Sequence, residues 1–200
     1  MASDHSEKCC GLILYPTWRR TYLQCGIIVA CKPRSVYILT DGRRIASYTH
    51  LGVIRVELRD KTILAPRANQ FRKFDDGIVG ILCRGNFDLT KMSAVEICEQ
   101  TVYSTKTVHV FEGVEEIITE GFVTAASDPY QFSITNSVNG YSEYGSPVID
   151  NTGMLVGMCF SFDHHLSARS ILAIALAIQR SQNWPFTSIR SVFQRLYDII

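Results

Sequence analysis

Residues 142–157 read S-E-Y-G-S-P-V-I-D-N-T-G-M-L-V-G. Gly145 tolerates a twisted backbone and Pro147 fixes its own φ, so these two residues mark a turn that delivers the chain into a strand. Residues 147–150 and 155–162 are rich in Val, Ile, Leu and Phe, the composition of a pleated, half-buried surface. Asn151, Thr152 and Gly153 between them form a short turn. The stretch is therefore a hairpin.

Working outward, apolar runs of similar length recur every eight to twelve residues, with turn residues between them. Strands are predicted over 11–15, 24–31, 36–40, 53–58, 62–65 and 78–83. A second set is predicted over 95–98, 107–111, 117–125, 131–135, 147–150 and 155–162. Breaks fall at Pro16, Lys32–Pro33, Asp41–Gly42 and Pro66. This spacing points to a β-barrel or sandwich, not to alternating helices and strands. Residues 84–94 are polar, with Gly85, Asn86 and Asp88, and form the expected link between two lobes.

The C-terminus changes period. Ile189, Val192, Phe193, Leu196 and Ile200 fall on one stripe of a helix, with Thr187 or Ser188 as N-cap after Pro185. Residues 171–180 fit either a last strand or a short helix favoured by three alanines.

Two hundred residues suit one domain or two small lobes, and 46% apolar with 20% charged residues is ordinary for a globular chain. Twenty basic and nineteen acidic residues give a formal charge of +1. That balance argues against a nucleic-acid binder dominated by phosphate contacts, although Arg19, Arg20, Arg43 and Arg44 lie on neighbouring segments. No apolar h-region follows a basic start, so a secretory signal is not expected and the reading is a soluble, intracellular protein, cytoplasmic or nuclear. The longest apolar run, 171–178, is far shorter than the roughly twenty residues of a membrane span. Seven cysteines with no repeated C-x-x-C pair are expected to be reduced thiols. Cys25, Cys31, Cys83 and Cys159 are read as buried small hydrophobes, while Cys9 and Cys10 are harder to place.

Residues 142–157 resemble the nucleophile segment of trypsin-like proteases, G-x-S-G-x-P followed by two strands, with Tyr144 where the serine stands. Residues 22–45, Y-L-Q-C-G-I-I-V-A-C-K-P-R-S-V-Y-I-L-T-D-G-R-R-I, are similar to the stretch of trypsin-like and Do-like (Deg) enzymes that ends in the catalytic histidine, which falls on Arg43. Residues 74–82, F-D-D-G-I-V-G-I-L, resemble the strand that supplies the aspartate, matched by Asp76. The wording of 148–157 most resembles plant Do-like proteins. The resemblance covers roughly residues 11–175. It implies an all-β fold of two six-stranded β-barrel lobes with a C-terminal α-helix: a first lobe over 11–83, the link over 84–94, a second lobe over 95–180 and the helix over 187–200.

With the triad positions reading Arg43, Asp76 and Tyr144, the family's chemistry is expected to fail. A phenol has a pKa near 10 and its oxygen lies farther from the backbone than a serine Oγ. A guanidinium stays protonated and has no acceptor lone pair, so it cannot act as a general base. A charge-assisted pair between Arg43 and Asp76 is expected in place of the His–Asp hydrogen bond. At the oxyanion-hole positions, Ser142 and Tyr144, Ser142 replaces a glycine and resists the required backbone twist.

The other candidates each have a plainer reading. Ser142 is the best substitute nucleophile and His50 a displaced base, against a turn residue and a loop histidine. His109 falls on the polar face of a strand. Asp163, His164 and His165 are the most metal-like cluster, but adjacent strand histidines point to opposite faces and no third ligand is spaced for them. Glu112, Glu115, Glu116 and Glu120 form an acidic band on a hairpin.

The functional expectation is a catalytically inactive pseudoprotease acting as a protein- or peptide-binding module, a scaffold, decoy or regulator, in plant defence if the plant resemblance holds. Its ligand would lie in a cleft at Arg43, Tyr144 and Ser142. The alternatives are an active serine hydrolase using Ser142 and His50, and a regulatory subunit of an active Do-like protease. No cofactor, metal or nucleic acid is implied.

Overall fold

The structure, a computed structural model, describes residues 9–14, 21–45, 48, 53–100, 106–112, 117–125, 128–136, 144–161 and 166–200. The first seven strands are β1 (Cys9–Leu14), β2 (Thr21–Lys32), β3 (Ser35–Asp41), β4 (Ile54–Leu58), β5 (Ile63–Leu64), β6 (Phe71–Lys73) and β7 (Ile78–Arg84). They form one antiparallel sheet in the order β5-β4-β1-β2-β3-β7-β6. The second seven are β8 (Glu96–Ile97), β9 (Thr107–Glu112), β10 (Ile117–Ala125), β11 (Gln131–Asn136), β12 (Pro147–Asp150), β13 (Met154–Ser161) and β14 (Leu166–Ser170). Their order is β12-β9-β10-β11-β14-β13-β8, and β12 also pairs with β13. That pairing closes six strands into a ring, with β8 added in parallel against β13.

The expectation of two six-stranded barrel lobes is therefore corrected: only the second sheet closes. Closure needs end strands long enough to ladder together at the required stagger. The ends of the first sheet, β5 and β6, are two and three residues long. Among the described residues no ladder joins them. Pro66, two residues after β5, has no N–H to extend that edge. Arg72 and Lys73 put charge on the other edge, a common guard against further strand pairing. The trypsin-like and Do-like resemblance implied two closed lobes, and one closed barrel overturns that identification.

Why the strands read as continuous apolar runs is visible in β2. Both of its faces are covered: Ile28 packs with Val36, Ile38, Ile54, Val56 and Ile81, whereas Ile27 and Val29 pack with Ile149, Leu155, Met158 and the C-terminal helices. A third cluster, including Val108, Val110, Phe132, Ile134, Val148 and Val156, belongs to the closed ring.

Two helices follow the ring. The first, α1 (Ile171–Gln182), takes its N-cap from Ser170, whose Oγ accepts the Ala173 N–H at 3.2 Å. It ends at Asn183 in the left-handed region, a residue type that tolerates that conformation. The ambiguous 171–180 run is thus a helix, burying Ile171, Ile174, Ala175, Ala177 and Ile178. The second, α2 (Ile189–Asp198), is capped reciprocally by Ser188 and Ser191. Its buried stripe is Ile189, Val192, Phe193 and Leu196. Among the described residues no helix is long and apolar enough to cross a membrane.

The β12–β13 turn is locked by Asp150, whose side chain is 4% exposed. Its Oδ1 accepts from the Thr152 N–H (2.9 Å), the Thr152 hydroxyl (2.6 Å) and the Met154 N–H (3.1 Å). Its Oδ2 takes Lys106 Nζ at 2.8 Å. Burial pushes this carboxyl up, but the Lys106 and Thr152 side chains and two backbone N–H donors outweigh it and hold it below the usual range. A depressed folded-state pKa gives stability that is complete above the unfolded value, about 4, and is lost as pH falls through the folded value. Asp150→Asn is expected to cost about 1–2 kcal/mol at neutral pH and to flatten the acid limb of stability, measured by urea unfolding at a series of pH values.

Candidate functional site: an arginine–aromatic row

Asp41 ends β3 fully buried, with its carboxylate holding the loop that follows. It accepts the Arg43 backbone N–H at 2.9 Å. It also takes the Arg43 guanidinium through Nε (3.2 and 3.3 Å) and Nη2 (3.1 Å). Gly42 donates to Gly77 O at 2.6 Å, tying the same loop to the start of β7. Behind Asp41, Gln24 donates to Thr40 Oγ1 (2.6 Å) and to the Asp41 carbonyl, and Thr40 donates to Cys25 O at 2.6 Å. A buried polar network thus fixes where Arg43 leaves the sheet.

The Tyr144–Gly145 turn comes from the other sheet. Gly145 adopts φ 79°, and the turn is pinned on both sides. Cys25 N–H donates to Tyr144 O at 3.0 Å, and Gly145 N–H to Cys159 O at 3.0 Å. One residue on, Phe160 stands where the β13–β14 register shifts between Cys159 and Ser161. A bulge of this kind re-aims a side chain out of strict alternation. Arg169, on β14, is paired across from Met158.

These elements assemble one row. The Arg44 guanidinium lies 4.5 Å from the Tyr144 ring centroid, and Arg43 lies 5.2 Å from the same ring. Arg43 is also 5.2 Å from the Phe160 ring, as is Arg169. The order is Arg44, Tyr144, Arg43, Phe160, Arg169: cation and ring in alternation. Arg169 also donates to the Asp76 carbonyl through Nη1. Burial pulls the Arg169 guanidinium below its ordinary value, Asp41 and Asp76 act the other way, and Arg43 adds to the lowering. Asp76 is neutralised by Arg180, so three guanidiniums of the row set against the Asp41 carboxylate leave a local formal excess of two positive charges.

Of the three sequence-derived cleft residues, Arg43 and Tyr144 are thus in contact. The expected Arg43–Asp76 pair is corrected: Asp41, two residues away in sequence, satisfies Arg43, and Asp76 pairs with Arg180 of α1 at 2.7 Å. Asp76 sits in the left-handed region (φ 56°) at the turn into β7, where α1 packs against the first sheet. Ser142, His50, Asp163, His164, His165, Glu115, Glu116, Arg19 and Arg20 lie outside the described residues. His109 is half-buried on β9, and Glu120 is exposed on β10. Cys25, Cys83, Cys98 and Cys159 are buried free thiols and Cys31 is half-buried. Among the described residues no group of three His, Cys, Asp or Glu side chains could hold a metal ion.

Sequence reasoning missed Phe160 and Arg169. The only signal for Arg169 was the alternation L-S-A-R-S at 166–170, which puts Leu166, Ala168 and Ser170 on one face and Arg169 on the other. The row lies on the surface, away from the cavity of about 320 Å³ beside the starts of α1 and α2, lined by Pro129, Ile171, Phe186 and Ile189 among others. Comparison with protein-family models and with curated protein sequences finds no match for this chain.

Proposed function

We propose that the chain works by binding and not by bond cleavage, as a receptor for a multiply charged oxyanion held along the arginine–aromatic row. With the double-barrel scaffold gone, the pseudoprotease, hydrolase and protease-subunit readings lose their premise. The observation that carries the new reading is the alternation itself. A guanidinium stacked by its face on a ring is pre-organised, and its N–H edge stays available to oxygen. Arg43 spends Nε and Nη2 on Asp41, Arg44 donates Nη1 to Leu23 O, and Arg169 donates Nη1 to Asp76 O. Each keeps at least one further edge donor, so the row offers spaced N–H groups with a net positive charge. Such groups bind and orient oxyanions but carry no lone pair for proton abstraction.

Calorimetric titration with inorganic tripolyphosphate tests this. Saturable binding that weakens with added salt is expected. Arg43→Ala with Arg169→Ala is expected to reduce the affinity by about a hundredfold, roughly tenfold for each charge-assisted contact removed. Binding that survives the double substitution unchanged, or no binding by the parent protein, would overturn the proposal.

A further inference from the structure

At the opposite end of the first sheet, three basic side chains, Arg34, Arg67 and Arg84, stand near one another with no ion pair among the described residues. Arg84 ends β7 and is paired with Ser35, the residue after Arg34. Gly85 N–H donates to Arg34 O at 3.2 Å, so the β2–β3 hairpin tip touches the residue after Arg84. Arg67 precedes a single 3-10 turn at Ala68–Gln70 that leads directly into β6; Arg72 and Lys73 on β6 face Gly80 and Val79, toward the other end of β7. All three are exposed, and no ion pair or ring contact engages any of them among the described residues. Several basic groups elsewhere are matched: Arg43 by Asp41, Lys61 by Glu57, Lys91 by Asp88, Lys106 by Asp150, Arg180 by Asp75 and Asp76. Lys32 lies over Tyr197 and Arg195 over Trp184. A chain of net charge +1 has left an unneutralised cluster at one sheet end.

Two of the three arginines, Arg67 and Arg84, line a cavity of about 450 Å³ together with Ala65, Asn69 and Gln70, and no carboxylate is among these lining residues. Gln70 is oriented: its Oε1 accepts the Arg67 backbone N–H at 2.6 Å, which leaves its amide N–H₂ as the end still to be used. The wall therefore offers two guanidinium forks and a carboxamide donor. From this geometry we infer a second, separate site for a tetrahedral dianion, a phosphate or sulfate group, held by Arg67 and Arg84 with Gln70 as a neutral donor. Guanidinium forks match the paired oxygens of such a group and hold it bidentately. The site lies about 20 Å from the arginine–aromatic row, since six residues of the β3–β7 ladder at ~3.3 Å each separate Arg84 from Ile78.

The experiment is a ¹⁵N-correlation NMR titration of the full chain with inorganic phosphate, with sulfate and with acetate as parallel arms. Saturable shifts of the Gln70, Arg84 and Gly85 amides are expected with phosphate and with sulfate, and acetate should bind at least tenfold more weakly. Arg67→Ala with Arg84→Ala should weaken the phosphate effect at least tenfold. Arg67→Lys with Arg84→Lys, which keeps charge but not the forks, should lose several-fold. Phosphate without sulfate would narrow the group to phosphate esters, and sulfate without phosphate to sulfate esters; either supports the site. Non-saturating shifts, equal response to acetate, or full retention in the double lysine variant would overturn it, reducing the cluster to diffuse charge. Because Gly42 and Gly145 report the other row, failure of one site is distinguishable from failure of the other.

Discussion

Gly145→Ala is expected to lower the unfolding free energy by about 3 kcal/mol, the sum of an unfavourable left-handed backbone and a backbone collision. At φ 79° an added Cβ would stand 2.6 Å from Thr40 Oγ1 and closer still to Cys25 O. The carbonyl belongs to a central strand and cannot swing away as a flexible side chain would. The turn must instead retreat, loosening the Cys25 N–H to Tyr144 O bond that joins the two sheets and the Gly145 N–H to Cys159 O bond that ties the turn to β13. Gly77→Ala is the control: its φ is 71°, but nothing lies within 4 Å of the added Cβ. It should cost only about 1 kcal/mol, the conformational share alone. Urea unfolding of both variants separates the two contributions, and equal losses would mean that the turn yields without strain. Tyr144 hangs on this turn, so Gly145→Ala should also weaken tripolyphosphate binding while Gly77→Ala leaves it nearly unchanged.

That turn shows what the sequence could and could not disclose. Gly145 and Pro147 mark its place, and the apolar alternation around them gives the hairpin, because both signals are local. Most strands are legible for the same reason: the centres of β2, β3 and β7 are apolar runs, buried because both faces are covered. Sheet closure is not local. It depends on β12 finding β9 on one side and β13 on the other, and on β5 and β6 being too short to find each other. A resemblance across three short segments carried an architecture that the lengths of these end strands do not support. The helix at Ile171–Gln182 was ambiguous because eight consecutive apolar residues have no visible period; its length and the Ser170 cap decide it. In the site, Arg43 and Tyr144 were legible as unusual residues. Their neighbours were not: Phe160 reaches Arg43 through a bulge, and Arg169 through a strand pairing.

Asp41 sets a balance between folding and binding, and Asp41→Ala is expected to move the two in opposite directions. Removing the carboxylate deletes the bond to the Arg43 backbone and the contacts to its guanidinium. Breaking a fully buried pair costs about 3–5 kcal/mol. Here the Asp41 side chain is fully buried but the Arg43 side chain is 43% exposed, so water can reclaim the cation. The expected loss is nearer 2 kcal/mol, read from urea unfolding. The local charge of the row meanwhile rises from an excess of two to an excess of three, and Arg43 recovers two edge donors. Tripolyphosphate should then bind several-fold more tightly, with a steeper dependence on ionic strength, since one more unscreened charge faces the ligand. If affinity instead falls along with stability, Asp41 orients Arg43 more than it neutralises it. Asp41→Asn separates those roles, because a carboxamide oxygen can keep the Arg43 N–H bond without the charge. Tighter binding in Asp41→Asn with a smaller loss of stability would identify neutralisation as the dominant effect of the buried carboxylate.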